Sequence, residues 1–323
     1  MSRNLKLFTG AFLLSIPFWL GWNAVSGSLE EYFLFSELAK NPQVFTAQVA
    51  LEKQVSEVLP LLKKNVPLEL QARSGLAVFV NQETGESKVL FEKDTEKRLG
   101  IASLTKLMGA LVVARHFTPD QEIPITRAAV AEEEDFGQLK EGDVFFAKDL
   151  LYPMLMESSN DASAAFAFKI GMDEYLSLMN LEASSLGLSN TRFFNHAGLD
   201  PDIPGEPVNY SSARDLFLLT QYLKTFHSSV FDILGTKEAV LYTADGRVHH
   251  QMSNTNQLLS SNGWPTKVLG GKTGWTPEAK GTLVLVLESP KGKGYIVNVI
   301  LGANNRFQAM ETMVDWIFES YTF

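Results

Sequence analysis

Two strand–turn–strand patterns lie at opposite ends of one region of the chain. The first, "GLAVFVNQETGESKVLFEKD", has apolar runs at residues 76–80 and 87–91 on either side of the turn "ETGE". The second, "GTLVLVLESPKGKGYIVNVILGA", turns through "SPKGKG" and is followed by an amphipathic stretch, "RFQAMETMVDWIFESYTF". Between them, residues 102–229 read as largely helical, with Gly/Pro loops. Strands drawn from both ends of a region can share a core only by pairing with one another. The pattern therefore predicts an α/β (α+β) domain, an antiparallel sheet flanked by helices, with a helical insert between the hairpins. There is no internal repeat. A chain of 323 residues is long enough to bury a sizeable core.

The N-terminus reads differently. Arg3 and Lys6 precede an uncharged run at residues 7–25, and Glu30 and Glu31 follow it. About 20 apolar residues can span a bilayer, and Lys and Arg before the run place the rest of the chain outside the cytoplasm. Residues 1–27 are thus expected to be a membrane anchor, with a cleaved signal segment as the alternative. Residues 28–73 read as helix interrupted by Pro42, Pro60 and Pro67 and are expected to form a stalk. The main domain is expected at residues 74–323, on the extracytoplasmic side of the cell membrane. A formal net charge of -9 argues against a nucleic-acid partner. The absence of cysteine excludes disulfides, thiol catalysis and thiolate-bound zinc.

Chemistry-bearing residues fall in three short motifs. Ser103 and Lys106, in "GIASLTKLMGALVVARHF", are three apart at the mouth of an apolar helix and so share one face. A Ser in a first helical turn feels the positive end of the helix dipole, and a neutral Lys beside it can take its proton. The second motif, Ser158-Ser159-Asn160, lies between two helical stretches. The third, Lys272-Thr273-Gly274, precedes the apolar run at residues 282–287; a Lys, a hydroxyl and a Gly along a strand edge form a rim suited to an anion. Each is weak by itself. Together, S-x-x-K, S-x-N and K-T-G in this order are the set shared by class A β-lactamases and penicillin-binding proteins.

Longer segments carry the resemblance further. "TGESKVLFEKDTEKRLGIASLTKLM", "LKEGDVFFAKDLLYPMLMESSNDASAAFA", "FFNHAGLD", "YSSARDLFLLT" and "GGKTGWTPEAKGTLV" resemble, in order, segments of the D-alanyl-D-alanine carboxypeptidases, the serine peptidases also called low-molecular-mass penicillin-binding proteins. The resemblance covers residues 74–323 and implies a β-lactamase/transpeptidase-like fold with a helical subdomain. It implies Ser103 as nucleophile, Lys106 as base, Ser158 as proton relay and Asn160 as an orienting group. It also implies that Lys272 and Thr273 hold the substrate carboxylate beside Gly274, that the backbone N–H groups of Ser103 and Trp275 form the oxyanion hole, and that Arg306 pairs a carboxylate.

The implied activity is removal of the terminal D-Ala from peptidoglycan stem peptides through an acyl-enzyme, with β-lactams as covalent inhibitors. A D,D-endopeptidase of the same family is the alternative, and the absence of the family's further β-rich domain after the last helix leans toward it. A class A β-lactamase would need a Glu for deacylation, for which Glu206 in "EPVN" is the superficial candidate. A non-catalytic penicillin receptor is the remaining reading. The five histidines form no obvious ligand set, since neighbours such as His249 and His250 point apart on helix or strand. No metal and no cofactor are expected.

Overall fold

The computed structural model describes residues 59–131, 137–203 and 205–323. The expected anchor lies outside the described residues, as does most of the expected stalk. Among the described residues no helix is long and apolar enough to cross a membrane. Among the described residues the strands of five or more residues are β1 (Ser74–Asn81), β2 (Ser87–Lys93), β3 (Glu238–Tyr242), β4 (Val248–Ser253), β5 (Val268–Thr276), β6 (Lys280–Glu288) and β7 (Gly294–Ala303). The helices are α1 (Thr105–His116), α2 (Ala147–Tyr152), α3 (Asn160–Ile170), α4 (Met172–Ser185), α5 (Ala213–Phe226), α6 (Ser228–Ile233) and α7 (Arg306–Ser320).

Five strands form one antiparallel sheet in the order β5-β6-β7-β1-β2. Both expected hairpins are present, and β7 pairs with β1 to join the two ends of the domain. Successive side chains on a strand point to opposite faces, so each strand serves two cores. Leu76, Val78, Val80, Val284, Val286, Val297 and Val299 face α1 and the helical insert. Ala77, Phe79, Leu283, Leu285, Leu287, Ile296 and Ile300 face α7 through Met310, Met313, Val314 and Ile317. The sheet is therefore sandwiched. Its free edge at β5 is where the insert and the sheet meet.

α1 runs through the centre. Every residue from Thr105 to Val113 is buried, including Lys106. A helix apolar on all sides is stable only when it is packed on all sides, and α3, α4 and α5 surround it together with the sheet.

The start of the domain differs from expectation. Residues 59–73 are not a helical stalk; they contain no helix and belong to the compact unit Leu59–Phe323. Leu61–Leu62 pairs antiparallel with Tyr321–Thr322 at the end of the chain. Trp316 Nε1 donates to Val66 O at 2.7 Å, and Lys88 Nζ donates to Pro60 O at 2.7 Å. Pro60 and Pro67 cannot donate to a helix, whereas an irregular path buries Leu70 and Ala72 against the α7 core. Leu70→Ala is expected to destabilise the protein by about 2–5 kcal/mol in urea unfolding; an unchanged midpoint would restore the stalk reading.

Candidate active site

Ser103 lies in a short 3₁₀ turn, Ala102–Leu104, that runs into α1. Ala102 has a left-handed backbone, φ 48°. Such a conformation in a non-glycine residue is held by its surroundings, and here several hydrogen bonds hold it. Thr282 Oγ1 on β6 donates to Ile101 O at 3.1 Å, and Ile101 N donates to Asn209 O at 3.2 Å. β5 lies close beside the turn: a Cβ on Gly274 would sit 3.0 Å from Ser103 N and 3.1 Å from Ala102 Cβ. Gly274 is what lets the strand approach the helix mouth.

One turn along, Lys106 Nζ lies 3.2 Å from Ser103 Oγ. It donates to Asn160 Oδ1 at 2.7 Å and to Ala197 O at 3.0 Å. Asn160 begins α3, where Ser159 caps the helix by accepting from Ala162 N at 3.1 Å. Ala197 O is presented by a folded loop. Asn195 Oδ1 accepts from Ala197 N and Gly198 N, and Asn209 Oδ1 accepts from Phe194 N and Asn195 N. Gly198, at φ 87°, lets this loop lie against the Ala102–Leu104 turn, since a Cβ there would stand 2.0 Å from Ala102 O. Asn195, Ala197 and Asn209 have no place in the three motifs. The strings "FFNHAGLD" and "PVNY" contain them, but nothing in their spacing announces a carbonyl aimed at Lys106.

The opposite wall comes from β5. Lys272 Nζ donates to Ser158 Oγ at 2.8 Å and to Thr273 O at 2.9 Å. Ser158 is left-handed, φ 66° and ψ 27°, at the end of the wide helical turn Pro153–Glu157. The Thr273 and Thr255 hydroxyls are 2.8 Å apart. Trp275 is half exposed at the strand end. Arg306 opens α7, and its buried Nε meets no acceptor among the described residues.

The structure thus gathers Ser103, Lys106, Ser158, Asn160, Lys272, Thr273 and Gly274 from the sheet edge and two helix mouths, with Trp275 and Arg306 at the rim. A cleft of about 810 Å³ adjoins them, lined by Ala131, residues 194–197 and 199–202, Glu206, Pro207, Thr276 and Pro277. Glu206 lies on that cleft. Among the described residues no group of His, Asp and Glu could hold a metal. One expectation fails: His249 and His250 do not point apart. Their Nδ1 atoms are 2.6 Å apart, on a hairpin whose register shifts between Leu241 and Tyr242; such a bulge increases the local twist.

The electrostatics are severe. Lys106 and Lys272 are both fully buried. Burial first, then the Lys106 and Arg306 cations, push Lys272 well below the ordinary lysine range. Lys272 and Arg306 form no ion pair with a carboxylate among the described residues, so this rim is positive and suited to an anion.

The family model for D-alanyl-D-alanine carboxypeptidase matches residues 63–305. A D-alanyl-D-alanine endopeptidase of Pseudomonas aeruginosa is 32% identical over 234 residues, which cover 70% of this chain and 71% of that protein. The D-alanyl-D-alanine carboxypeptidase DacF of Bacillus subtilis is 30% identical over 269 residues, covering 80% of this chain and 65% of that one. The crystal structure of the Streptomyces K15 DD-transpeptidase matches with a TM-score of 0.67 at 29% identity, over 79% of this chain and 100% of that one.

The buried Lys272 has a consequence for stability. An unfolded Lys keeps its proton up to about pH 10.4, while folded Lys272 gives it up well below that. Between the two limits the unfolded chain binds more protons, so this residue makes stability rise with pH. Lys272→Met is therefore expected to stabilise the fold at neutral pH by about 1–4 kcal/mol, the gain vanishing as the pH approaches about 10.4. Urea unfolding across this range checks it; a Lys272→Met protein less stable at pH 7 would contradict it.

Proposed function

Because the chain belongs to the D-alanyl-D-alanine carboxypeptidase family of serine peptidases, we propose that it removes the terminal D-Ala from peptidoglycan stem peptides through an acyl-enzyme on Ser103. The observation that carries this reading is the arrangement around Lys106. Asn160 Oδ1 and Ala197 O can only accept hydrogen bonds, and they take N–H groups of Lys106. Ser103 Oγ is the partner that can donate back. In a neutral amine the lone pair is then directed at the Ser103 proton, and Lys106 is the general base.

The remaining roles are those that the family resemblance implies for these positions. Ser103 Oγ attacks the carbonyl of the penultimate D-Ala. The negative oxygen that develops is met by the backbone N–H groups of Ser103 and Trp275; losing one such donor typically costs about 2.7–4 kcal/mol of barrier. The substrate's terminal carboxylate sits against Lys272, Thr273 and Arg306, where it supplies the anion that the rim lacks. Ser158, held by Lys272, carries the proton to the leaving amine of D-Ala. Asn160 orients both Lys106 and the substrate amide. Water then releases the stem peptide by the reverse route. Lys272 thereby serves twice, as a carboxylate anchor and as the cation whose field disfavours a charged Lys106.

β-Lactams place a carboxylate and a strained amide in the same relation, so they acylate Ser103 and inhibit. A D,D-endopeptidase acting on cross-links is the second reading, favoured by the Pseudomonas relative of that name; the same machinery would act on a longer leaving group. Residues 7–25, as an N-terminal anchor, would hold the enzyme at the cell membrane with this domain on the extracytoplasmic side, where peptidoglycan lies.

Product analysis by mass spectrometry on a monomeric pentapeptide and on a cross-linked dimer tests the activity. Loss of one D-Ala from the pentapeptide is expected, and exclusive cleavage of the dimer would select the endopeptidase. A fluorescent penicillin is expected to label Ser103 covalently and to leave Ser103→Ala unlabelled; labelling that persists in the variant overturns the assignment. Lys106→Met is expected to slow acylation by about 10²–10⁴-fold without loss of fold. The acylation rate should rise with pH along a limb centred well below 10, and Lys272→Ala should move that limb upward because a repelling charge is gone. A limb that stays in place would mean that the Lys272 charge does not reach the base.

A further inference from the structure

Behind Ser158 lies a chain of four titratable side chains that none of the three motifs contains. Glu157 Oε2 is 2.9 Å from His250 Nε2. The His250 and His249 Nδ1 atoms are 2.6 Å apart. His249 Nε2 is 3.0 Å from Asp143 Oδ2. All four side chains are at most 17% exposed, and the Phe145 ring packs edge-on against His249. The chain therefore connects the loop before residues 144–146, through β4, to the residue preceding Ser158.

Proton counting constrains this chain. An ionised carboxylate only accepts, so each Nε2 facing one carries hydrogen. If both rings were neutral, both Nδ1 atoms would then present lone pairs to each other at 2.6 Å. If both were cationic, two N–H groups would collide. One additional proton between the rings completes every bond, and moving it onto a carboxylate leaves the count unchanged. The four residues form an unbroken hydrogen-bonded path only in this singly protonated state.

The position of the path matters because of what it ends on. Ser158 is a non-glycine residue in a left-handed conformation, which needs external support. Its neighbours supply some: Ser159 N donates to Pro153 O at 3.0 Å and Thr255 N to Met156 O at 2.9 Å. Glu157 ties the side of the turn Pro153–Glu157 to β4, through His250.

We propose that Glu157 and His250 are positioning residues for Ser158, and that they hold it through a proton shared between His249 and His250 and closed by Asp143. The inference rests on the role assigned to Ser158 above. Above the pH at which the shared proton leaves, the two lone pairs repel, the rings part, and Ser158 loses its anchor beside Lys272. The wild-type acylation rate therefore gains a falling limb superimposed on the rising lysine limb.

Other charges bear on the proton. Burial pushes His249 below the ordinary histidine value, Asp143 pulls it back, and His250 and Lys140, in the same loop as Asp143, push it down again. In the hairpin turn, Arg247 is paired with Asp245 at 2.7 Å and also acts on Asp143. On α2, Lys148 is engaged by Asp120 at 2.5 Å, and Asp149 interacts with that pair.

The test combines penicillin acylation and NMR on the full-length protein. His250→Gln retains an N–H donor toward Glu157 but no ionisable ring. It is expected to acylate at close to the wild-type plateau rate and to lose the falling limb. His250→Ala is expected to acylate roughly 10–100-fold more slowly at every pH, with penicillin binding before acylation little changed. In wild-type protein labelled with ¹⁵N-histidine, one deshielded proton coupled to two Nδ1 nitrogens should disappear along the falling limb. The proposal is overturned if His250→Gln keeps the wild-type limb, if His250→Ala acylates at the wild-type rate, or if the two rings titrate independently. The Gln variant and the NMR titration report even where the Ala variant does not fold. A wild type that no penicillin acylates overturns the Ser103 assignment instead, and the NMR titration still reads the chain.

Discussion

Lys106 and Lys272 arrive from opposite ends of the domain, one on α1 and one on β5, and both lose their water on folding. Burying one ammonium is expensive, and burying two within reach of each other's field is more so. The surrounding structure is arranged around this conflict. The Ala197 carbonyl and the Asn160 amide oxygen take N–H groups of Lys106, and Ser158 Oγ and the Thr273 carbonyl take those of Lys272. The large apolar cores on both faces of the sheet supply the stability against which this cost is borne. A site that only needed to be stable would hold apolar residues at both positions, and the presence of two lysines is what marks it as chemical.

The same conflict explains the tight geometry at the helix mouth. For the field of Lys272 to bear on Lys106, β5 must lie directly against the start of α1. That approach requires Gly274, which has no Cβ to meet Ser103 N, and it requires Ala102 in a left-handed turn pinned by Thr282 and Asn209. On the other side, Gly198 lets the loop carrying Ala197 slide beneath Ala102. Ser103 is therefore clamped between two glycine-dependent contacts, and its neighbours are fixed by the fold.

Much of this was legible in the sequence because it is local. The β1–β2 and β6–β7 hairpins follow from alternating apolar runs and turn residues, and the pairing of β7 with β1 follows from their shared need for a core. Ser103 and Lys106 are one helical turn apart, and Lys272, Thr273 and Gly274 are contiguous. What was missed is non-local or carried by backbone. The Ala197 carbonyl has no side-chain signature, and Asn195 and Asn209 act by folding a loop. The β3–β4 hairpin did leave a signal, Asp245-Gly246 between two short runs, with Gly246 at φ 85°. Its bulge turns His249 and His250 toward each other against the simple alternation rule. Residues 59–73 misled because apolar periodicity alone cannot distinguish a helix from an irregular segment that buries Leu70 and Ala72; Pro60 and Pro67 were the better guide.

The central claim is that the two buried lysines share fewer than two protons at neutral pH. The direct measurement is a pH titration of the side-chain Nζ signals in protein labelled with ¹⁵N-lysine, using Lys106→Met and Lys272→Met for assignment. The account predicts one neutral amine at pH 7, with the titrations of the two groups coupled, so that removing either lysine raises the midpoint of the other. Two ammonium signals that remain charged and independent up to about pH 10, the value of a free lysine, would contradict it.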